Sequence, residues 1–472
     1  MLINKKLRIK KAGKPMLASI KQNFLIYALN FLFATLSWIR NESVFKWSYS
    51  LIAWLAEKLV KKDYYVKKIR WIKDLFDSNH PSLTVTKKIL RGTNPYHRKT
   101  IIKAFTINHC LVGTNKRKDF SEKHDGLYPP GFFVISPSMK CNLKCYGCYA
   151  GYYDKKAELT FDEIDKVMTQ AKEIGMYFCV VSGGEPLFHP RIFDIFEKHN
   201  DVLFHMYTNG SLIDEKVCQR LVEVGNVIPA ISIEGYRKET DERRGVGHFD
   251  RIMKAMDLLR ETKILFGFSA TLTRQNTEIL NSDEFIDFMI EKGCILGWYF
   301  MYVPIGREPN LDLMQTPEQR GYQFERLTNL RSRKSILLAD FWNDGPVVGG
   351  CISGGRKYFH VNANGDIEPC VFAHFATHNI RTSSLEDAIK SPMFRSICSQ
   401  LPVYENLLRP CTLIDRPEIS RKAIKDYGAY FTHEGAEILY NDLHDDIDQY
   451  TKEYGKIADP LWEKYFSKSK KE

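Results

Sequence analysis

From about Gly131 to Val303 the chain alternates short apolar runs with amphipathic helical stretches, and this alternation restricts the fold more than any other feature of the sequence. Strands joined through helices run in the same direction, so such a pattern builds a parallel sheet covered by its own helices. The candidate strands are residues 131–136, 177–182, 202–207, 227–233, 264–271 and 295–303. Helical patterns fill the gaps near 160–174, 190–199, 214–224, 249–261 and 282–292. Thr160, with Glu163 three residues on, forms a capping box, and Ser282 opens a helix whose apolar periodicity starts at Phe285. Both an open barrel and a doubly wound sheet satisfy the pattern.

The expected fold class is α/β, a partial (β/α)6 TIM-like barrel flanked by an amino-terminal helical basic region and a small carboxy-terminal α+β module. The expected domains are residues 1–125, 126–335, 340–417 and 418–472. In the third, residues 357–361 and 367–372 flank Asn362-Ala363-Asn364-Gly365-Asp366, where Asn-Gly is a strong hairpin turn signal. The last region reads as helical from Arg421 and ends in lysines.

Four hundred and seventy-two residues, 44% of them hydrophobic, exclude a disordered chain and a small disulfide scaffold. Eleven cysteines are too sparse for a secreted framework, and the start lacks the basic, apolar and small-residue succession of a secretion signal. The expected location is cytoplasmic, peripheral on the inner face of the membrane. That second part rests on charge and aromatic content. Residues 1–118 hold 25 of the 68 Lys and Arg but only 5 of the 57 Asp and Glu, so this part is about +20 and the remainder about −9. The stretch 24–39 is apolar but rises only about 24 Å as a helix, too short for a hydrocarbon core of about 30 Å. Residues 44–59 carry Trp47, Tyr49 and Trp54 beside lysines, a composition suited to a headgroup boundary. Two helices packed on the core with a solvated basic face are the plainer alternative. No nucleic acid partner is expected, because the cations accompany long apolar runs and no recognition motif.

Cys141, Cys145 and Cys148 follow the first strand directly in KCNLKCYGCY. A loop this short brings three thiolates within reach of one iron–sulfur cube and leaves one iron open. Structural zinc usually closes with a second pair of ligands, and none lies nearby. Zinc and three unliganded thiols remain the alternatives.

The spacing CxxxCxxC resembles the signature of radical S-adenosylmethionine (radical SAM) enzymes. The resemblance implies a [4Fe–4S] cluster on Cys141, Cys145 and Cys148 that chelates S-adenosylmethionine, cleaves it reductively and yields a 5′-deoxyadenosyl radical. An electron donor such as ferredoxin or flavodoxin is implied with it. The residue before the last cysteine is commonly aromatic in that family; here it is Gly147, so the ring would come from Tyr146 or Tyr149. Ser182-Gly183-Gly184-Glu185-Pro186 resembles the family's GGEP motif; glycines admit close backbone approach, and the Glu185 carboxylate would pair with the ligand's ammonium. Alone, GGEP would read as a turn; its distance after the cysteine loop argues otherwise. By the same resemblance Asn209, Ser232, Glu234 and Ser269 face the ligand from strand ends, and Arg244, in RRGVGHFD, pairs with its carboxylate.

Cys351, Gly365 and Cys370, with Cys398 and Cys411 beyond, resemble the twitch form of the SPASM domain. That implies a second, auxiliary [4Fe–4S] cluster on Cys351, Cys370 and Cys411; Cys398 is either the fourth ligand or a core residue of an amphipathic helix. Cys110, Cys179, Cys218 and Cys294 lie in apolar contexts and read as buried thiols. Tyr299, Phe300 and Tyr302 are candidates to close a radical chamber against water. The expected reaction is hydrogen abstraction from a membrane lipid. The alternatives are a peptide- or protein-modifying maturase and, from a different class, a non-catalytic iron–sulfur or zinc scaffold.

Overall fold

The computed structural model describes residues 31–466 apart from 33, 60–62 and 403–405. Residues 24–30 of the apolar stretch 24–39, and the lysine-rich end from residue 467, lie outside the described residues. Seven parallel strands lie side by side in chain order: β1 (Phe133–Ile135), β2 (Phe178–Val181), β3 (Leu203–Thr208), β4 (Val227–Ser232), β5 (Gly267–Leu272), β6 (Leu296–Met301) and β7 (Leu337–Asp340). Six were expected. The seventh, Leu337–Asp340, is a short apolar run that ends on a charged residue, so it does not stand out from its polar surroundings.

The other edge of the sheet is continued from a distant part of the chain. β8 (His360–Val361) pairs parallel to β1 with Val134 opposite His360, β9 (Asp366–Glu368) returns antiparallel around the expected Asn362–Gly365 turn, and β11 (His378–Asn379) adds a last strand. β10 (Phe375–Ala376) pairs separately with β12 (Tyr430–Phe431). The hairpin therefore grows out of the barrel's own sheet.

Local chemistry sets the helix starts. The Thr160 hydroxyl accepts the Glu163 N–H while the Glu163 carboxylate accepts the Thr160 N–H, which satisfies two donors at the head of the helix Phe161–Ile174. Along β6 the side chains alternate as a strand requires. Trp298 and Phe300 point into the barrel, and Tyr299 points out, where its hydroxyl donates to Leu280 O at 2.7 Å. Tyr299 is thus a core residue and does not close the chamber; Phe300 and Tyr302 do.

The amino-terminal helices attach where the barrel strands begin. Asn94 N donates to Lys263 O at 2.8 Å, Leu265 N donates to His97 Nε2 at 3.2 Å, and the Asn108 amide donates to Asp201 O at 2.8 Å. The carboxyl ends of the strands stay clear. Ile102–Gly113 is a π-helix, and it accounts for one correction: Cys110 is exposed, whereas Cys179, Cys218 and Cys294 are buried as expected. A π-turn holds more residues than an α-turn, so the 3.6-residue phase that would bury Cys110 does not apply. The tail is also less uniform than expected, with helices Pro417–Tyr427 and His444–Phe466 separated by β12. Among the described residues no helix is long and apolar enough to cross a membrane.

Candidate active site

The strands' carboxyl ends open into one cavity of about 1240 Å³ including its mouth. Cys141, Cys145 and Cys148 all line it. Their loop is tied to the end of β2, since Gly184 N donates to Ser138 O at 3.0 Å and Glu185 N to Lys140 O at 2.7 Å. A Cβ on Gly184 would stand 2.2 Å from Lys140 O, so a side chain there would push the cysteine loop off the strand. Leu143 N donates to Cys141 Sγ at 3.4 Å, and the Asn209 amide lies 3.8 Å from the same sulfur. Burial, opposed by the Leu143 N–H, pushes the Cys141 thiol up. Three neighbouring sulfurs on one wall are the donor set that an iron–sulfur cluster takes.

The expected ligand-facing residues divide into two groups. Gly183, Gly184, Asn209, Ser232, Arg244 and Ser269 line the cavity, with the Ser232 and Ser269 hydroxyls 3.3 Å apart. Glu185 and Glu234 do not. Glu185 is fully buried and accepts from the Thr208 hydroxyl at 2.7 Å, Asn209 N at 2.7 Å and Leu187 N at 3.2 Å. Burial pushes its carboxyl pKa up; its work here is to set the turn that presents Asn209. Glu234 stands behind the wall, where it accepts from both Arg243 and Arg244 and from Thr271 N. Both arginines reach the cavity. Arg243 went unnoticed in the sequence, although its position beside Arg244 at the end of the helix Arg237–Arg244 could have pointed to it.

Beyond this rim the cavity is walled by Phe132, Tyr207, Trp298, Phe300, Phe341 and Phe372. No Asp, Glu, Lys or His is among the described lining residues.

Phe341 and Phe372 also line a second cavity, which contains Cys351, Cys370 and Cys411. The Tyr358 hydroxyl donates to Cys370 Sγ at 2.8 Å, Phe372 N to the same sulfur at 3.5 Å and Leu413 N to Cys411 Sγ at 3.4 Å. Trp342 Nε1 is buried without a hydrogen-bond partner beside this cavity, so an acceptor such as a cluster sulfide would satisfy it. Cys398 is not among the lining residues; it sits on the helix Pro392–Ser399 with Sγ 3.4 Å from Gly354 O. Among the described residues no three His, Cys, Asp or Glu side chains converge as one metal ion would require. Thiolates bound to separate irons of a cube stand further apart than those on a single zinc. Both cysteine sets fit clusters.

Residues 135–286 match the Radical SAM superfamily, and residues 351–412 match the iron–sulfur cluster-binding domain named SPASM. The chain is 24% identical over 299 residues to the AdoMet-dependent heme synthase of Methanosarcina barkeri, covering 57% of this chain and 82% of that one. It is 23% identical over 325 residues to the PqqA peptide cyclase of Granulibacter bethesdensis, 62% of this chain and 82% of the other. In fold it resembles Streptococcus suis SuiB bound to S-adenosylmethionine, with TM-score 0.53, 20% identity, and 67% of this chain and 77% of that one covered.

Proposed function

The chain belongs to the radical SAM superfamily and carries a SPASM iron–sulfur module, and from that premise we propose that it abstracts hydrogen from the hydrocarbon part of a membrane lipid. It is an enzyme that uses a [4Fe–4S] cluster, S-adenosylmethionine and auxiliary iron–sulfur chemistry. When bound, the reduced cluster supplies the electron that splits S-adenosylmethionine into methionine and the 5′-deoxyadenosyl radical. In this reading residues 126–335 do that chemistry and 340–417 hold the auxiliary cluster. Cys141, Cys145 and Cys148 ligate the first cluster, and Cys351, Cys370 and Cys411 the second. The backbone at Gly183 and Gly184 with Asn209 takes the ligand's amino end, Arg243 and Arg244 take its carboxylate, and Ser232 and Ser269 take the ribose. The reductant is ferredoxin or flavodoxin, and the protein works peripherally on the inner membrane face.

The observation that carries the lipid reading is the wall. Aromatic and aliphatic side chains exclude water and offer no countercharge, apart from two arginines engaged by Glu234. Such a chamber suits an uncharged hydrocarbon segment. A peptide- or protein-modifying maturase is the second reading, favoured by the likeness to PqqA peptide cyclase.

The test is anaerobic reconstitution followed by dithionite-driven cleavage of S-adenosylmethionine with native membrane lipids present and absent. The lipid reading expects 5′-deoxyadenosine to rise with lipid, and Cys145→Ala to abolish it. Turnover indifferent to lipid but stimulated by a co-encoded peptide would replace this reading with the second.

A further inference from the structure

The helix Glu42–Leu59 is apolar on two opposite faces. On one, Phe45, Tyr49 and Ile52 join Phe76, Leu83 and Leu90 in the amino-terminal cluster. On the other, Val44, Trp47, Leu51, Trp54 and Leu55 recur at three- and four-residue spacing and are exposed, Trp47 by 66% and Trp54 by 53%. The helix Asp63–Asp77 packs beside it and adds Trp71, 63% exposed, and Ile72. A surface helix normally turns polar residues outward, so an aromatic stripe of this length marks a contact surface.

Charge selects the occupant. The stripe belongs to the part of the chain with 25 Lys and Arg against 5 Asp and Glu, and Lys58 Nζ sits 4.8 Å from the centroid of the Trp54 ring. A second copy would bring the same positive field against itself. An anionic bilayer instead gains about 1 kcal/mol per cation at its surface. Indoles favour the headgroup level, and lysine stems lie along apolar surface while their ammonium groups stay wet.

We infer that this stripe seats the protein on an anionic lipid surface, with Trp47, Leu51 and Trp54 entering the headgroup boundary and Lys58 meeting lipid phosphates. The inference deepens the lipid reading and rests on it for its purpose; its physics is independent.

The test is sedimentation of the full-length protein, kept anaerobic, with vesicles of phosphatidylglycerol and phosphatidylcholine in equal parts, or of phosphatidylcholine alone. The wild type is expected to pellet with the anionic vesicles at low salt, with a blue-shifted tryptophan emission. Trp47→Ser with Trp54→Ser should weaken binding at least tenfold while the thermal melt stays in place, and Lys58→Glu should weaken it through charge alone. Absence of binding by the wild type, or equal binding by both variants, overturns the inference. So does a wild-type dimer, seen by light scattering and lost in the tryptophan variant, in a protein that ignores vesicles. Vesicle binding without lipid-dependent 5′-deoxyadenosine keeps this inference and sinks the lipid-substrate reading. Lipid-dependent cleavage in detergent without vesicle binding does the reverse.

Discussion

Tyr302 occupies the space that a side chain on Gly147 would need: a Cβ built there would lie 2.6 Å from Cε2 of the Tyr302 ring. Gly147 has φ +61, a left-handed conformation that a glycine adopts without cost. The ring packed against Gly147 comes from the end of β6. Tyr149 lines the cavity, but its hydroxyl is bonded to Ser182 Oγ at 2.7 Å.

Gly147→Ala should therefore damage the cluster loop in two ways, through about 1 kcal/mol of backbone strain and through the clash with Tyr302. S-adenosylmethionine cleavage is expected to fall about tenfold or more. Adding Tyr302→Ala should relieve the clash and leave the strain. Iron content and 5′-deoxyadenosine formation read both effects, and an unaffected Gly147→Ala enzyme would refute the account.

Tyr358 forms part of the chamber wall, and its hydroxyl donates to Cys370 Sγ at 2.8 Å. Hydrogen bonds to cluster sulfurs raise reduction potentials, because they favour the more negative state. Tyr358→Phe should keep full iron content yet lower the auxiliary midpoint, by about 60 mV for a tenfold change in the one-electron ratio. A redox titration followed by electron paramagnetic resonance measures this, and an unmoved midpoint would rule the hydroxyl out.

Arg320 and Asp415 are buried and joined at 2.7 and 3.3 Å, with the guanidinium 3.4 Å from the centroid of the Tyr454 ring. Asp415 also accepts Cys411 N at 3.1 Å, so the pair positions the backbone of a proposed cluster ligand. Asp415→Ala strands a buried cation and should cost about 3–5 kcal/mol in urea unfolding. Removing both charges with Arg320→Met and Asp415→Leu should cost less than the single change. If the double variant proves the less stable, charge burial is not the cause.

Burial holds His97 at a pKa of about 4, against about 6.5 in an unfolded chain. Between those values the unfolded chain binds a proton that the folded one does not. Stability is therefore full above about pH 6.5 and declines as the pH falls toward 4. Protonation would also compete with the Leu265 N–H that Nε2 accepts. His97→Gln keeps an acceptor and should flatten the pH dependence by up to one proton, about 1.4 kcal/mol per pH unit. His205 and His109 are depressed in the same way, so the variant is compared with the wild type, whose slope includes theirs.

The parts of this design that were legible in the sequence are local in it. The cysteine loop, the two glycines and six of the seven parallel strands each announce themselves within a few residues, because spacing, capping and periodicity act over one turn or one strand. What escaped depends on pairs far apart. Nothing near Gly147 indicates that residue 302 fills its space, and nothing near Asp415 indicates Arg320. Glu185 was expected to face the ligand because a carboxylate suits an ammonium, and Glu234 because it ends a strand, yet the fold spends them on Thr208, Asn209 and the two arginines. A carboxylate's chemistry is visible in sequence; the side of the wall on which it stands is set by tertiary packing.

The same distinction bears on Cys398, which sequence alone left open between a fourth ligand beside Cys411 and a core residue of its helix. The helix Pro392–Ser399 buries Met393, Phe394 and Ile397 and leaves Cys398 at its margin, whereas Cys411 lies in a loop whose Leu413 N–H points at the sulfur. Backbone donors to sulfur accompany a thiolate that carries charge, while a sulfur 3.4 Å from the Gly354 carbonyl is placed as a neutral thiol donor. Cys398→Ser should therefore retain about eight irons per chain, as two cubes require. Serine in place of Cys351, Cys370 or Cys411 should reduce that toward four and remove the auxiliary signal while dithionite-driven cleavage at the first cluster persists. Iron and sulfide analysis of the four variants side by side decides it, and loss of four irons in Cys398→Ser would make that residue the fourth ligand and require its helix to shift toward the cavity.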